Sequence, residues 1–170
     1  DNFDPQSDGH LEEGSLTILD KWILAKMHLL IRDGRKTMDQ FNVSRFMKLF
    51  ELFLDDISNW YIRRNRRRFW KSEDDGDKKT AYATLYHVLV NTIQCLAPIL
   101  PFITETIYQN LVRNTDPNAH ESVHHSDFPV ENDKWINEDL IKKVDTLKKL
   151  VELGSSARSQ SKHKIRQPLP

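Results

Sequence analysis

The chain has 170 residues, 38% hydrophobic and 29% charged, with 5 Gly, 7 Pro and 1 Cys, enough for one domain burying roughly 70% of its unfolded surface. This composition excludes a disordered, collagen-like or disulfide-stapled chain, and no apolar run approaches the roughly 20 residues that span a bilayer. The net charge of zero is segregated: residues 1–20 hold 6 acidic and no basic residues, 21–71 hold 13 basic and 5 acidic, 72–140 hold 4 basic and 12 acidic, and 141–170 hold 8 basic and 2 acidic. Such polarity suits a polyanion or complementary docking to another domain.

In chain order, residues 1–15 are acidic and Gly-containing, with no initiator Met or apolar leader, and read as a linker from a preceding domain. Three- and four-residue apolar spacing then predicts five helices. The first spans about Thr17 to Gln40, capped by Ser15 or Thr17, with Leu19, Trp22, Ile23, Lys26 and Leu30 on one side and Gly34 weakening its interior. The second starts after the cap Asn42 and reaches about Trp70, where SEDDGD ends it. A third, from about Lys78 to Leu96, stops at Pro98 and Pro101; a fourth spans about Phe102 to Val112. Residues 114–133 form a polar loop with an extended piece, SVHHSDFP, and a fifth helix runs from about Ile136 to Ser156 with a stripe of Leu140, Val144, Leu147 and Val151. The expected fold is all-α, an antiparallel bundle of about five helices over residues 16–160, with 161–170 beginning a C-terminal extension. Both ends read as cuts within a longer chain.

On the second helix Phe46, Phe50, Phe53, Ile57 and Trp60 form one apolar stripe, and the same spacing continues to Arg64, Arg67 and Arg68. In NWYIRRNRRRFW five of twelve residues are Arg and four are aromatic. Planar guanidinium forks fit phosphate and aromatic rings stack on bases, so this segment points to RNA or to an acidic protein surface. Ion pairing with Asp55, Asp56 or Glu105 would instead make the arginines part of the bundle's own structure. The tail SSARSQSKHKIRQPLP adds Arg158, Lys162, Lys164 and Arg166. Cys95 lies in an apolar run and reads as core. His120, His124 and His125 stand near Asp116, Glu121 and Asp127 without recognised metal-ligand spacing. No phosphate-binding glycine loop, nucleophile elbow or acid/base carboxylate pair is present, so nothing in the residues indicates catalysis.

At NWYIRRNRRRFW the sequence resembles the anticodon-binding domain of class I aminoacyl-tRNA synthetases, of the eukaryote-like isoleucyl type. LDKWILAKMHLL (19–30), LAPILPFITETIYQNL (96–111), SVHHSDFP (122–129) and IRQPL (165–169) resemble family segments in the same order, as does FDP (3–5). The LAPILPF segment marks the wider isoleucyl, valyl and leucyl group. The resemblance implies that a parent enzyme joins isoleucine to tRNA(Ile), its catalytic domain using ATP and Mg. This part carries neither HIGH-like nor KMSKS-like motifs, and is expected to have no catalytic residue, cofactor or metal of its own. It implies tRNA contacts by Trp60, Tyr61, Arg63, Arg64, Arg66, Arg67, Arg68, Trp70, Lys162, Lys164 and Arg166, with Phe69 in the same marked helix. It also implies docking on the parent's catalytic domain, cytoplasmic location, no membrane partner and a monomeric fragment. Docking of the Arg-rich helix on an acidic protein, or a valyl or leucyl parent, are the alternatives.

Overall fold

The computed structural model describes residues 3–71, 75–162, 164 and 167. The chain divides into two compact units, Asp1–Ile136 and Asn137–Pro170. The first unit contains α1 (Pro5–Asp8), α2 (Ile18–Asp39), α3 (Val43–Asp55), a π-helical turn (Asp56–Ile62), α4 (Arg66–Lys71), α5 (Asp75–Leu96), α6 (Pro101–Tyr108) and a second π turn (Gln109–Arg113). The second unit is built on α7 (Glu138–Gln160). No strand occurs among the described residues, and none of their helices is long and apolar enough to cross a membrane.

Caps set the helix starts. Thr17 and Asp20 form a reciprocal box, the Asp20 N–H donating to Thr17 Oγ1 and the Thr17 N–H to Asp20 Oδ2. The Asn42 side chain accepts from the Arg45 N–H, and the Asn137 side chain from the Leu140 N–H. The α2 start meets the end of α4 through Asp20 and Arg68, while Gly34 meets Phe46 at the other end, so α2 and α3–α4 run antiparallel.

Helix α2 is more deeply enclosed than the one-sided stripe expected of it. Trp22, Ile23, Leu24 and Ala25 are consecutive and all buried, as are Met27, Leu30 and Ile31. A helix buried on every side lies between its neighbours, here α3 and α5. Gly34 lets Phe46 sit against the α2 backbone, since a Cβ there would come within 2.6 Å of the Phe46 ring. Tight approach, rather than a weak point, is its contribution.

Residues 3–15, expected as a linker, pack on α5: the Phe3 ring stacks on Tyr82 at 5.7 Å, Asp8 pairs with Lys79 at 2.9 Å, and His87 Nε2 donates to the Gly9 carbonyl at 2.7 Å. The segment SVHHSDFP is not uniformly extended, because a 3-10 turn occupies Val123–His125 with the Ser122 hydroxyl accepting from the His124 N–H. Arg35 holds this loop to α2, donating to the Pro129 carbonyl at 2.6 Å with its guanidinium over the Phe128 ring. Ile93, Ala97, Tyr108, Val112 and Val123 close a small core beneath it. In α7, Ile141 and Val144 are buried, whereas Leu147 and Val151 of the expected stripe are exposed.

Candidate nucleic-acid interface

The π turn decides which way the arginine motif faces. Phe46, Phe53 and Ile57 are buried as their spacing predicts, and Phe50 is half-buried. Beyond Ile57 an uninterrupted α-helix would turn Trp60, Arg64, Arg67 and Arg68 inward, and of these Arg68 does turn in, onto Asp20 and Asp77. A π turn closes i→i+5 bonds and so holds one more residue than an α turn. The inward positions are therefore delayed by about one, and the buried residues are Tyr61, Asn65 and Phe69. Trp60 is half-buried, while Arg63, Arg64, Arg66, Arg67 and Trp70 are exposed.

Two aromatics and one arginine of the motif are built into the fold. Tyr61 is fully buried and its hydroxyl donates to Asp20 Oδ1 at 2.6 Å. Arg68 Nη1 donates to the same oxygen at 2.9 Å, while its Nη2 lies 2.7 Å from Asp77 Oδ1. Phe69 stacks edgewise between Tyr61 and Tyr82. Burial and the adjacent Asp20 charge push the Tyr61 phenol up, so it remains a donor. Burial pulls Arg68 down but is outweighed by its bonds to Asp20 and Asp77, which hold the guanidinium above its ordinary value. One buried carboxylate is thus neutralised by one fixed guanidinium.

The carboxylates expected to meet the arginines have other partners: Asp56 pairs with Lys26 at 2.8 Å, Asp55 accepts from Asn59, and Glu105 accepts from Gln109, Ser122 and the Val123 N–H. The partners of Arg68 are instead Asp20 and Asp77, which no local spacing in the sequence links to it. Asp20 reads locally as the third residue of a capping box, and only its position opposite the end of α4 gives it the second role.

The remaining arginines point outward. Arg64 lies over the Trp60 ring, 4.9 Å from its centroid, and Arg66 over the Trp70 ring at 5.1 Å, each an i,i+4 pair that fixes a guanidinium by cation–π attraction. Arg63, Arg64, Arg66 and Arg67 form a cationic surface with two indoles beside it, about one π turn and one α turn long. In the second unit Lys162 and Lys164 are exposed, and Arg158 Nη1 donates to the carbonyls of Lys164 and Gln167. Arg166 lies outside the described residues.

The other candidates group differently. Cys95 is buried, and burial pushes its thiol up to about 12, which keeps it protonated at neutral pH. Among the described residues no group of three or more His, Cys, Asp or Glu is placed to hold a metal ion.

The model of the anticodon-binding domain of tRNA ligases matches residues 20–170. The chain belongs to this family. An isoleucine–tRNA ligase of Dehalococcoides mccartyi is 46% identical over 169 residues, 99% of this chain and 16% of that protein. Isoleucine–tRNA ligases of Clostridium tetani and Chlamydia trachomatis are 45% and 42% identical, over 91% and 98% of this chain and 15% and 16% of theirs. The chain therefore spans about a sixth of the length of these relatives. Within this anticodon-binding domain, the arginine motif combines a buried Tyr61–Asp20–Arg68 anchor with an exposed Arg and Trp surface that runs from the π turn to α4.

Proposed function

We propose that this domain docks tRNA(Ile) for an isoleucine–tRNA ligase whose catalytic part, outside these 170 residues, charges the tRNA using ATP and Mg. The observation that carries the proposal is the outward row Arg63, Arg64, Arg66 and Arg67 at the end of the π turn and the start of α4, a segment that a fifth arginine, Arg68, ties down from inside. The names of the relatives support isoleucine as the amino acid. Assignment to the eukaryote-like branch rests on the motif resemblance, and a cytoplasmic, monomeric fragment is part of the same reading. Guanidinium contacts to phosphate position the RNA, and contacts to unpaired bases add specificity. Lys162, Lys164 and Arg166 supply further phosphate contacts.

Titration of fluorescently labelled tRNA(Ile), tRNA(Val) and tRNA(Leu) with this chain tests the reading. Tighter, salt-sensitive binding of tRNA(Ile) is the expected result. Preference for tRNA(Val) or tRNA(Leu) would transfer the domain to a different ligase, and no saturable binding of any tRNA would assign the arginines to an acidic protein surface.

A further inference from the structure

Helix α7 changes character along its length. Ile141 and Val144 are buried, but from Leu147 onward its large apolar side chains stand in solvent: Leu147 is 53% exposed, Leu150 61% and Val151 38%. Successive helical residues turn by about 100°, so Leu140, Val144, Leu147 and Val151 share one narrow stripe at the alternating spacing of a coiled-coil seam. With Val144 and Val151 as the a positions and Leu140 and Leu147 as the d positions, one edge of the seam carries Lys148 at e and the other carries Lys143 and Leu150 at g. Asp145 and Glu152 both fall at b, off these edges. The charged residues on both rims of the seam are thus cations.

That pattern chooses the occupant. A second copy, parallel or antiparallel, would set Lys143 and Lys148 against the same lysines, since e and g residues meet across a coiled coil. RNA phosphate would engage the lysines and leave Leu147 and Val151 in water. A helix with apolar a and d residues and acidic edges satisfies the stripe and the lysines together. The exposed part of the seam is only about two turns long, whereas a free-standing coiled coil is sustained over at least about three heptads. A helix tethered within the same polypeptide overcomes that shortness through its effective concentration, and the relatives have room for one, because the matched region is only 15–16% of their length. We propose that α7 docks an acidic-edged amphipathic helix from another part of the parent ligase. This rests on the parent assigned under the proposed function and is independent of RNA docking by the arginines.

The test compares amide hydrogen exchange in α7 between the full-length parent and the 170-residue chain, both without tRNA. Amides of residues 147–153 are expected to exchange at least about tenfold more slowly in the full-length protein. K143E with K148E is expected to return them to the rate of the 170-residue chain. K142E with K149E, the same charge change at the f positions opposite the seam, is expected to leave the protection in place, and the 170-residue chain should keep its helicity with either pair. Equal exchange in the two proteins, protection that survives K143E with K148E, protection that appears only with tRNA, or sedimentation of the 170-residue chain as a dimer would each overturn the docking. Absence of tRNA(Ile) charging by the full-length protein would instead overturn the parent assignment.

Discussion

Inside the fold, Arg68 and Tyr61 each donate a hydrogen bond to Asp20 Oδ1 while Thr17 engages Oδ2. Removing the guanidinium leaves a fully buried carboxylate uncompensated, which costs about 3–5 kcal/mol. Arg68→Ala is therefore expected to lower stability by about that amount in urea unfolding, and Tyr61→Phe by about 1–3 kcal/mol. Arg63→Gln or Arg67→Gln, at exposed positions, should leave the unfolding midpoint nearly unchanged. A stable Arg68→Ala variant would place Arg68 with the outward arginines instead. His28 gives a pH signature. Its ring is held below the ordinary histidine value first by burial and then by His87, against the opposing pull of Glu131, and its Nδ1 accepts from the Asn132 N–H. The unfolded chain consequently binds this proton more readily than the folded one. Stability present above about pH 6.5 is lost as the pH falls through that value toward the folded pKa. Urea midpoints at about pH 7.5 and 5.5 should fall together with pH in the wild type and fall less in His28→Gln.

At the scale of the element, the helices themselves were legible because their caps and breakers are local: Thr17, Asn42, Pro98 and Pro101 act within one turn of the chain. The facing of the arginine motif was not legible, because nothing in the residue spacing announces a π turn at Asp56–Ile62. Buried Tyr61 and Asn65 and outward Arg64 follow from that one additional residue, which moved the core position assigned to Trp60 onto Tyr61. The role of Gly34 was hidden for a related reason, since its meaning depends on Phe46 from another helix. Gly34→Ala forces a methyl to within 2.6 Å of a fully buried ring. It is expected to destabilise by about 1–3 kcal/mol despite the better helix propensity of alanine. A gain in melting temperature would show that α2 and α3 separate freely.

At the scale of the molecule, the segregated charge seen in the sequence resolves into two uses. Part of it is internal, as where Asp20 of the acidic N-terminal stretch and Asp77 of the acidic central stretch converge on Arg68. The rest is external, as the arginines around Trp60 and Trp70. Composition alone could not divide them, because the division depends on which residues the fold brings opposite α4. In the proposed function the four outward arginines neutralise RNA phosphate while Arg68 serves the fold. Its most direct test is the salt dependence of tRNA(Ile) binding for the wild type and for a variant with Arg63, Arg64, Arg66 and Arg67 all replaced by Gln. With about 0.7–0.9 in slope per phosphate contact, the slope of log affinity against log salt is expected to be shallower by about 3, with the melting temperature retained. An unchanged slope in a folded variant would contradict it.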